Sequence, residues 1–143
     1  MRNLLSRMRK RKSAQELNQS EFTKTLARLT AEGTPFAVAT VVKTEGGSLG
    51  KPGFKAVISV MGDLVCGSLG GVCPESAIAV IAKEVMQSGV PKTVKVHLES
   101  VEDSMRAVLK GRKEDEIHVE TNCGGTMTIF VEPYLPQDSK GNG

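Results

Sequence analysis

The chain has 143 residues, enough for one domain with a modest core, and it is poor in aromatics, with four Phe, one Tyr and no Trp. No apolar run approaches the ~18–20 residues that a membrane span needs, and three irregularly spaced cysteines make no disulfide framework. The net charge is +3, but Arg2, Arg7, Arg9, Lys10, Arg11 and Lys12 crowd the first twelve residues without an acid, so the body of the chain is net acidic.

Residues 1–12 therefore read as a basic, solvated tail, with contact to an anionic surface as the alternative. No apolar h-region follows that tail, so no secretory signal is expected, and a reduced, cytoplasmic protein is. The body pairs no basic stripe with stacking aromatics, which argues against nucleic-acid binding.

The domain is expected over residues 13–135. Ser13 and Ser20 are candidate helix N-caps, Phe22, Leu26 and Leu29 recur at helical spacing, and Gly33 is a natural stop. Phe36 to Val42 is continuous, apolar and β-rich, which predicts a central strand covered on both faces. Thr44 to Gly53 holds four glycines and Pro52 and reads as a loop, longer than a packing turn requires. Phe54–Val60 and Leu64–Ser68 form a hairpin around residues 61–63. Pro74 suits a first helical position, and Ala77, Ile78, Ile81, Val85 and Met86 form one apolar face before Gly89 and Pro91.

Val94, Val96 and Leu98 alternate with polar residues in a half-buried strand. A short helix from Ser100 to Lys110, a short strand around Ile117 and Val119, and the loop Asn122 to Gly125 follow. Met127, Ile129 and Val131 alternate in a last strand, which Pro133 and Pro136 end. Residues 136–143 read as a disordered tail. This order predicts an α/β (α+β-like) fold, a mixed β-sheet flanked by helices in a single domain.

The chemistry centres on two cysteines. With Pro74 as the first helical residue, Cys73 falls at the N-cap, beside unpaired N–H groups of Glu75 and Ser76, a setting that favours a thiolate and attracts anions. Gly70 and Gly71 let backbone approach a ligand there. Cys123 likewise precedes the pair Gly124 and Gly125. Soft-metal ligation, sulfur transfer and anionic-cofactor binding are all open to such thiols. Packing is the alternative, since free Cys is among the most buried residue types. Cys66, inside a strand, reads as a core residue. Glu75 is either a general base or a carboxylate complementing the helix dipole. Lys51 borders the glycine loop and offers a point charge. His97 and His118 stand at no ligand spacing and Cys-x-x-Cys is absent, so no metal site is expected.

Four blocks carry a family resemblance: Phe36 to Gly46, Lys51 to Gly53, Gly67 to Glu75, and Cys123 to Gly125 with Phe130 to Pro133. Together they resemble the XdhC/CoxI family over about residues 22–135, and specifically its N-terminal domain standing alone, without the C-terminal Rossmann domain of longer members. Two departures are visible. Where the family has Ser-x-Pro-Arg, this chain has Ser48, Leu49, Gly50 and then Lys51, and Val72 stands where glycine is usual.

The resemblance implies binding of the molybdenum cofactor, a molybdopterin, and its insertion into a molybdenum hydroxylase apo-enzyme of the xanthine dehydrogenase or carbon monoxide dehydrogenase type. It implies a chaperone rather than an enzyme. The matching positions are Ser48, Lys51, Gly70, Gly71, Cys73, Glu75, Cys123, Gly124 and Gly125. A cysteine desulfurase is an expected further partner. A homodimer is expected too, because one small domain has limited surface with which to enclose a large cofactor. The alternatives are a thiol redox or sulfur-transfer enzyme using Cys73, and a degenerate protein-interaction module.

Overall fold

The apolar run that starts at Phe36 lies in strand β1 (Phe36–Glu45), and a sheet has formed on both of its sides. A computed structural model describes residues 14–47, 50–100, 102, 105, 106, 109, 111, 115–120 and 124–136. The elements are α1 (Ala14–Glu32), β1, β2 (Lys55–Ser59), β3 (Leu64–Gly67), α2 (Val72–Ser88), β4 (Lys92–Glu99), β5 (Glu116–Glu120) and β6 (Thr126–Tyr134). They make a single α/β domain with a six-stranded sheet in the order β3-β2-β1-β6-β4-β5. Only β4 and β5 run parallel; the other pairings are antiparallel. Parallel neighbours need a crossover, and residues 100–115 supply it.

The strand alternation sorts side chains onto two faces. On the first face Ala37, Ala39 and Val41 of β1 join Ile58, Val94, Val96, Ile129 and Val131, and α2 covers them with Ile78, Ile81, Val85 and Met86. On the second face Phe36 and Val38 join Val57 and Cys66 under Leu29, Phe22 and Leu26 of α1. β1 is thus covered on both sides, as its unbroken apolar run predicts. Cys66 is buried in this second core.

Three expected boundaries shift. α1 runs without a break through Ser20, so Ser20 does not start it, while Ser13 lies outside the described residues. α2 starts at Val72 with Gly71 as its N-cap, two residues before Pro74. β6 continues through Pro133, which pairs with Ala37 of β1. β4 pairs with β6 only as far as Val131, so Pro133 has a strand on one side alone and its missing N–H breaks no ladder there. Among the described residues no helix is long and apolar enough to cross a membrane. The tails 1–12 and 137–143 lie outside the described residues.

The fold makes Ile129, fully buried on a central strand, far more sensitive than Val42, half exposed on β1. Urea denaturation should show Ile129→Ala losing about 2–5 kcal/mol and Val42→Ala staying within about 0.5 kcal/mol. Equal losses would contradict this packing.

Candidate functional site

Antiparallel pairing brings three loops to one end of the sheet. β1 ends at Glu45, directly opposite Thr126, where β6 begins. The loop that follows β1 returns to Lys55, and Gly67 at the end of β3 lies opposite Ala56 of β2. The loops 46–54, 68–71 and 124–125 therefore meet at the same edge, although 80 residues of sequence contain them.

Close backbone approach fixes this meeting. Gly50 is buried, and a Cβ there would run into the Leu69 carbonyl oxygen and Met127 Cε. A Cβ on Gly46 would lie 3.1 Å from Gly125 Cα. The first loop therefore touches both of the others, through Gly50, where a Cβ has no room, and through Gly46, whose φ of 75° favours glycine. Short backbone bonds brace it: Gly53 N–H donates to the Val41 carbonyl at 2.8 Å, and Phe54 N–H donates to that of Lys51 at 3.0 Å. The second loop is tied to β2 by Ser68 N–H donating to the Lys55 carbonyl at 2.8 Å.

The start of α2 differs in detail from the sequence expectation. Gly71, at φ 153°, is the N-cap, and Gly70 precedes it at φ 105°; both conformations belong to glycine. Cys73 is consequently not the cap but the second helical residue; its side chain lies outside the described residues. Glu75 N–H donates to the Gly71 carbonyl at 3.4 Å. By position, the N–H groups without an intrahelical acceptor are then those of Gly71, Val72 and Cys73, since Pro74 has none, rather than those of Glu75 and Ser76. The half-buried Glu75 carboxylate turns back and accepts Leu69 N–H at 3.2 Å, which ties the loop to the first helical turn.

Lys51 is exposed on the first loop. Gly124, at φ 75°, and Gly71 have no atom within 4 Å of where a Cβ would stand, so their backbones face open space. Ser48 and Cys123 lie outside the described residues. The structure thus brings Lys51, Gly70, Gly71, Glu75, Gly124 and Gly125, with the backbone of Cys73, to one end of the sheet. Beside this edge, Lys43 Nζ bridges Glu45 Oε1 at 2.9 Å. The hydrogen bond and charge of Lys43 hold the Glu45 carboxyl below its ordinary range. Two depressions of the described surface lie elsewhere. One follows Ser20 to Arg28 on α1, and the other lies between the end of α1 and Tyr134.

A second cluster was hidden in the sequence. Parallel pairing sets His97 of β4 directly beside His118 of β5, with ring centroids 4.6 Å apart and planes inclined by 15°. Glu99 and Glu116 complete the group; His118 Nδ1 lies 3.0 Å from Glu99 Oε1. The two histidines are 21 positions apart in the chain, so no spacing rule joins them. The alternation of His97 with Val96 and Leu98 gave its face but not its neighbour.

The close approach at Gly50 yields a direct test. Gly50→Ala should destabilise the domain by about 1–3 kcal/mol through overpacking against Leu69 and Met127, read from urea midpoints. A neutral substitution would show that the two loops do not meet there.

The family model described as the XdhC and CoxI family matches residues 29–97. A crystal structure described as a xanthine dehydrogenase from Bacillus halodurans is similar to this chain, with 28% sequence identity and a TM-score of 0.58. The similarity covers 82% of this chain and 31% of that one, so this chain spans under a third of that protein's length. No curated protein matches the chain. The family match takes in the first two loops and the start of α2, whereas Gly124 and Gly125 fall beyond it. Residues 29–97 thus match the XdhC and CoxI family, the family that the first three sequence blocks resemble.

Proposed function

We propose that this domain binds the molybdenum cofactor as cargo, shields it and delivers it to a molybdenum hydroxylase apo-enzyme of the xanthine dehydrogenase or carbon monoxide dehydrogenase type. One observation carries the reading: three glycine-bearing loops meet at one end of the sheet, and the second of them leads into α2. The family match and the xanthine dehydrogenase likeness support it.

The residues fit such cargo. A molybdopterin is anionic, and its metal, held through sulfur, is soft. The first N–H groups of α2, which no intrahelical carbonyl can reach, and the helix dipole suit an anionic group. Lys51 adds a point charge, without the fork of an arginine. Gly71 and Gly124 leave open space where any larger residue would stand. In this reading the thiolates of Cys73 and Cys123 address the metal or a terminal sulfur. In the same reading Gly70 and Gly125 line the cradle, and the family resemblance adds Ser48 to it. Glu75 acts as a positioning residue, since its carboxylate is engaged with Leu69 N–H. The bound group supplies the molybdenum chemistry, which is exercised in the recipient enzyme.

The same reading places the protein in the cytoplasm, with a cysteine desulfurase supplying sulfur and a second copy of the chain closing over the loops. The experiment is purification from cells that make the cofactor, with molybdenum measured per chain. Wild type should retain molybdenum. The Cys73→Ser Cys123→Ser variant should fall to the level of cofactor-deficient cells. Lys51→Ala should lower retention about tenfold, the scale of one charge-assisted contact of roughly 1.5 kcal/mol. Equal molybdenum in wild type and the double variant would overturn the proposal. A Cys73 thiol that accepts sulfur in molybdenum-free protein would favour sulfur transfer instead.

A further inference from the structure

We propose that His97, Glu116 and His118 form a binding site for a divalent transition-metal ion of the Zn2+ class, distinct from the cofactor loops. One ligand atom from each of these residues lies within 4.8 Å of the other two. His97 Nε2 and Glu116 Oε1 are already 3.7 Å apart. In a tetrahedral site with Zn–N bonds of about 2.0–2.1 Å, neighbouring ligand atoms are about 3.3–3.4 Å apart. Closing the widest separation thus needs a side-chain shift of about 1–1.5 Å.

Hydrogen bonding prepares both imidazoles. An ionised carboxylate only accepts, so Nδ1–H of His118 donates to Glu99 and its Nε2 is left for a metal. His97 Nδ1 is engaged with Thr126 Oγ1 at 3.2 Å, which leaves its Nε2 as well. This is how second partners orient metal-binding histidines. The His118 side chain is only 6% exposed, so its orientation is fixed by packing.

An independent observation points the same way. Two buried side-chain polar atoms have no hydrogen-bond partner among the described residues, His97 Nε2 and Glu99 Oε2. Both belong to this cluster. A buried, unpaired polar atom calls for a partner, and an ion beside Glu116 supplies one for the first of them. Two imidazoles and one carboxylate suit Zn2+ or its neighbours Co2+ and Ni2+. Mg2+ and Ca2+ prefer oxygen ligands. Three protein ligands leave one tetrahedral position for water.

The chain contains two histidines, both in this site, so imidazole signals report on it without ambiguity. The test uses the full chain carrying Cys73→Ser and Cys123→Ser, which removes the two loop thiols and leaves Cys66, buried in the second core. Zn2+ is added alone, with no molybdenum present. One Zn2+ per chain is expected, with both imidazole 15N signals shifting and Mg2+ leaving them unmoved. Competition with a chromophoric chelator should show Glu99→Gln weakening affinity about 10–100-fold. His97→Gln and Glu116→Gln should each weaken it at least as much. These two side chains are only partly buried, so the variants decide the matter even where His118→Gln does not fold. Absence of Zn2+ binding in this background, unmoved imidazole signals, or full affinity in His97→Gln would overturn the proposal. Loss of molybdenum retention would leave it standing.

Discussion

The pairing of β1 with β6 is the constraint on which the rest depends. It runs from Phe36 opposite Tyr134 to Glu45 opposite Thr126, and every other strand is added outward from these two. β1 carries small residues, Ala37 and Ala39, on the face that α2 covers, and both are fully buried. Small side chains there let the helix sit close to the sheet, so that Ile78 and Val85 fill the space between layers. The same antiparallel register sets the end of β1 beside the start of β6. That single fact brings the first and third glycine loops together, and Gly50 then holds the second against Met127, the second residue of β6.

A bulge within this pairing decides what the second face of the sheet contains. Val41 pairs with Ile129 and Lys43 with Thr128, so Val42 is the extra residue. Without it, strict alternation would direct Lys43 into the core with Ala37, Ala39 and Val41. With it, Lys43 and Glu45 share the opposite face and bridge each other. Two polar rows then cross four strands. One reads Glu45, Thr126, His97 and His118; the other reads Lys43, Thr128, Lys95 and Glu116. α1 covers the apolar half of this face, over β1, β2 and β3. The half formed by β6, β4 and β5 carries the polar rows, and Lys95 and His97 add to the field that lowers the Glu45 carboxyl.

Much of this was legible in the residues themselves. The unbroken apolar run of β1, the alternation of Val94, Val96 and Leu98, and the helical spacing of Ile78, Ile81 and Val85 each report a local periodicity, and periodicity is what a sequence displays. Boundaries were less legible. Pro74 is allowed anywhere in a first turn, so it could not tell that Gly71, through its positive φ, takes the cap. Pro133 stays in β6 because its neighbour on one side is absent, a fact of strand order and not of local composition. The candidate site was legible as four blocks, but not the contacts Gly50–Leu69 and Gly46–Gly125, which join residues far apart in the chain. The His97–His118 pair was invisible for the same reason, since parallel register across a crossover leaves no trace in spacing.

The edge strand β5 shows why that pair matters to the fold apart from any ion. Parallel strands are normally covered on both faces, yet β5 has one neighbour, β4, and only five residues. On the first face Ile117 and Val119 pack against the core under α2. On the second face no described helix lies over it, and its cover is the stacked imidazoles with Glu99. A polar cluster closes this face less completely than an apolar one, because each buried atom needs a partner and two lack one among the described residues. An aliphatic pair at these positions would seal the edge more simply. That the edge is instead closed by two imidazoles, each oriented through Nδ1, is the feature that packing alone leaves unexplained.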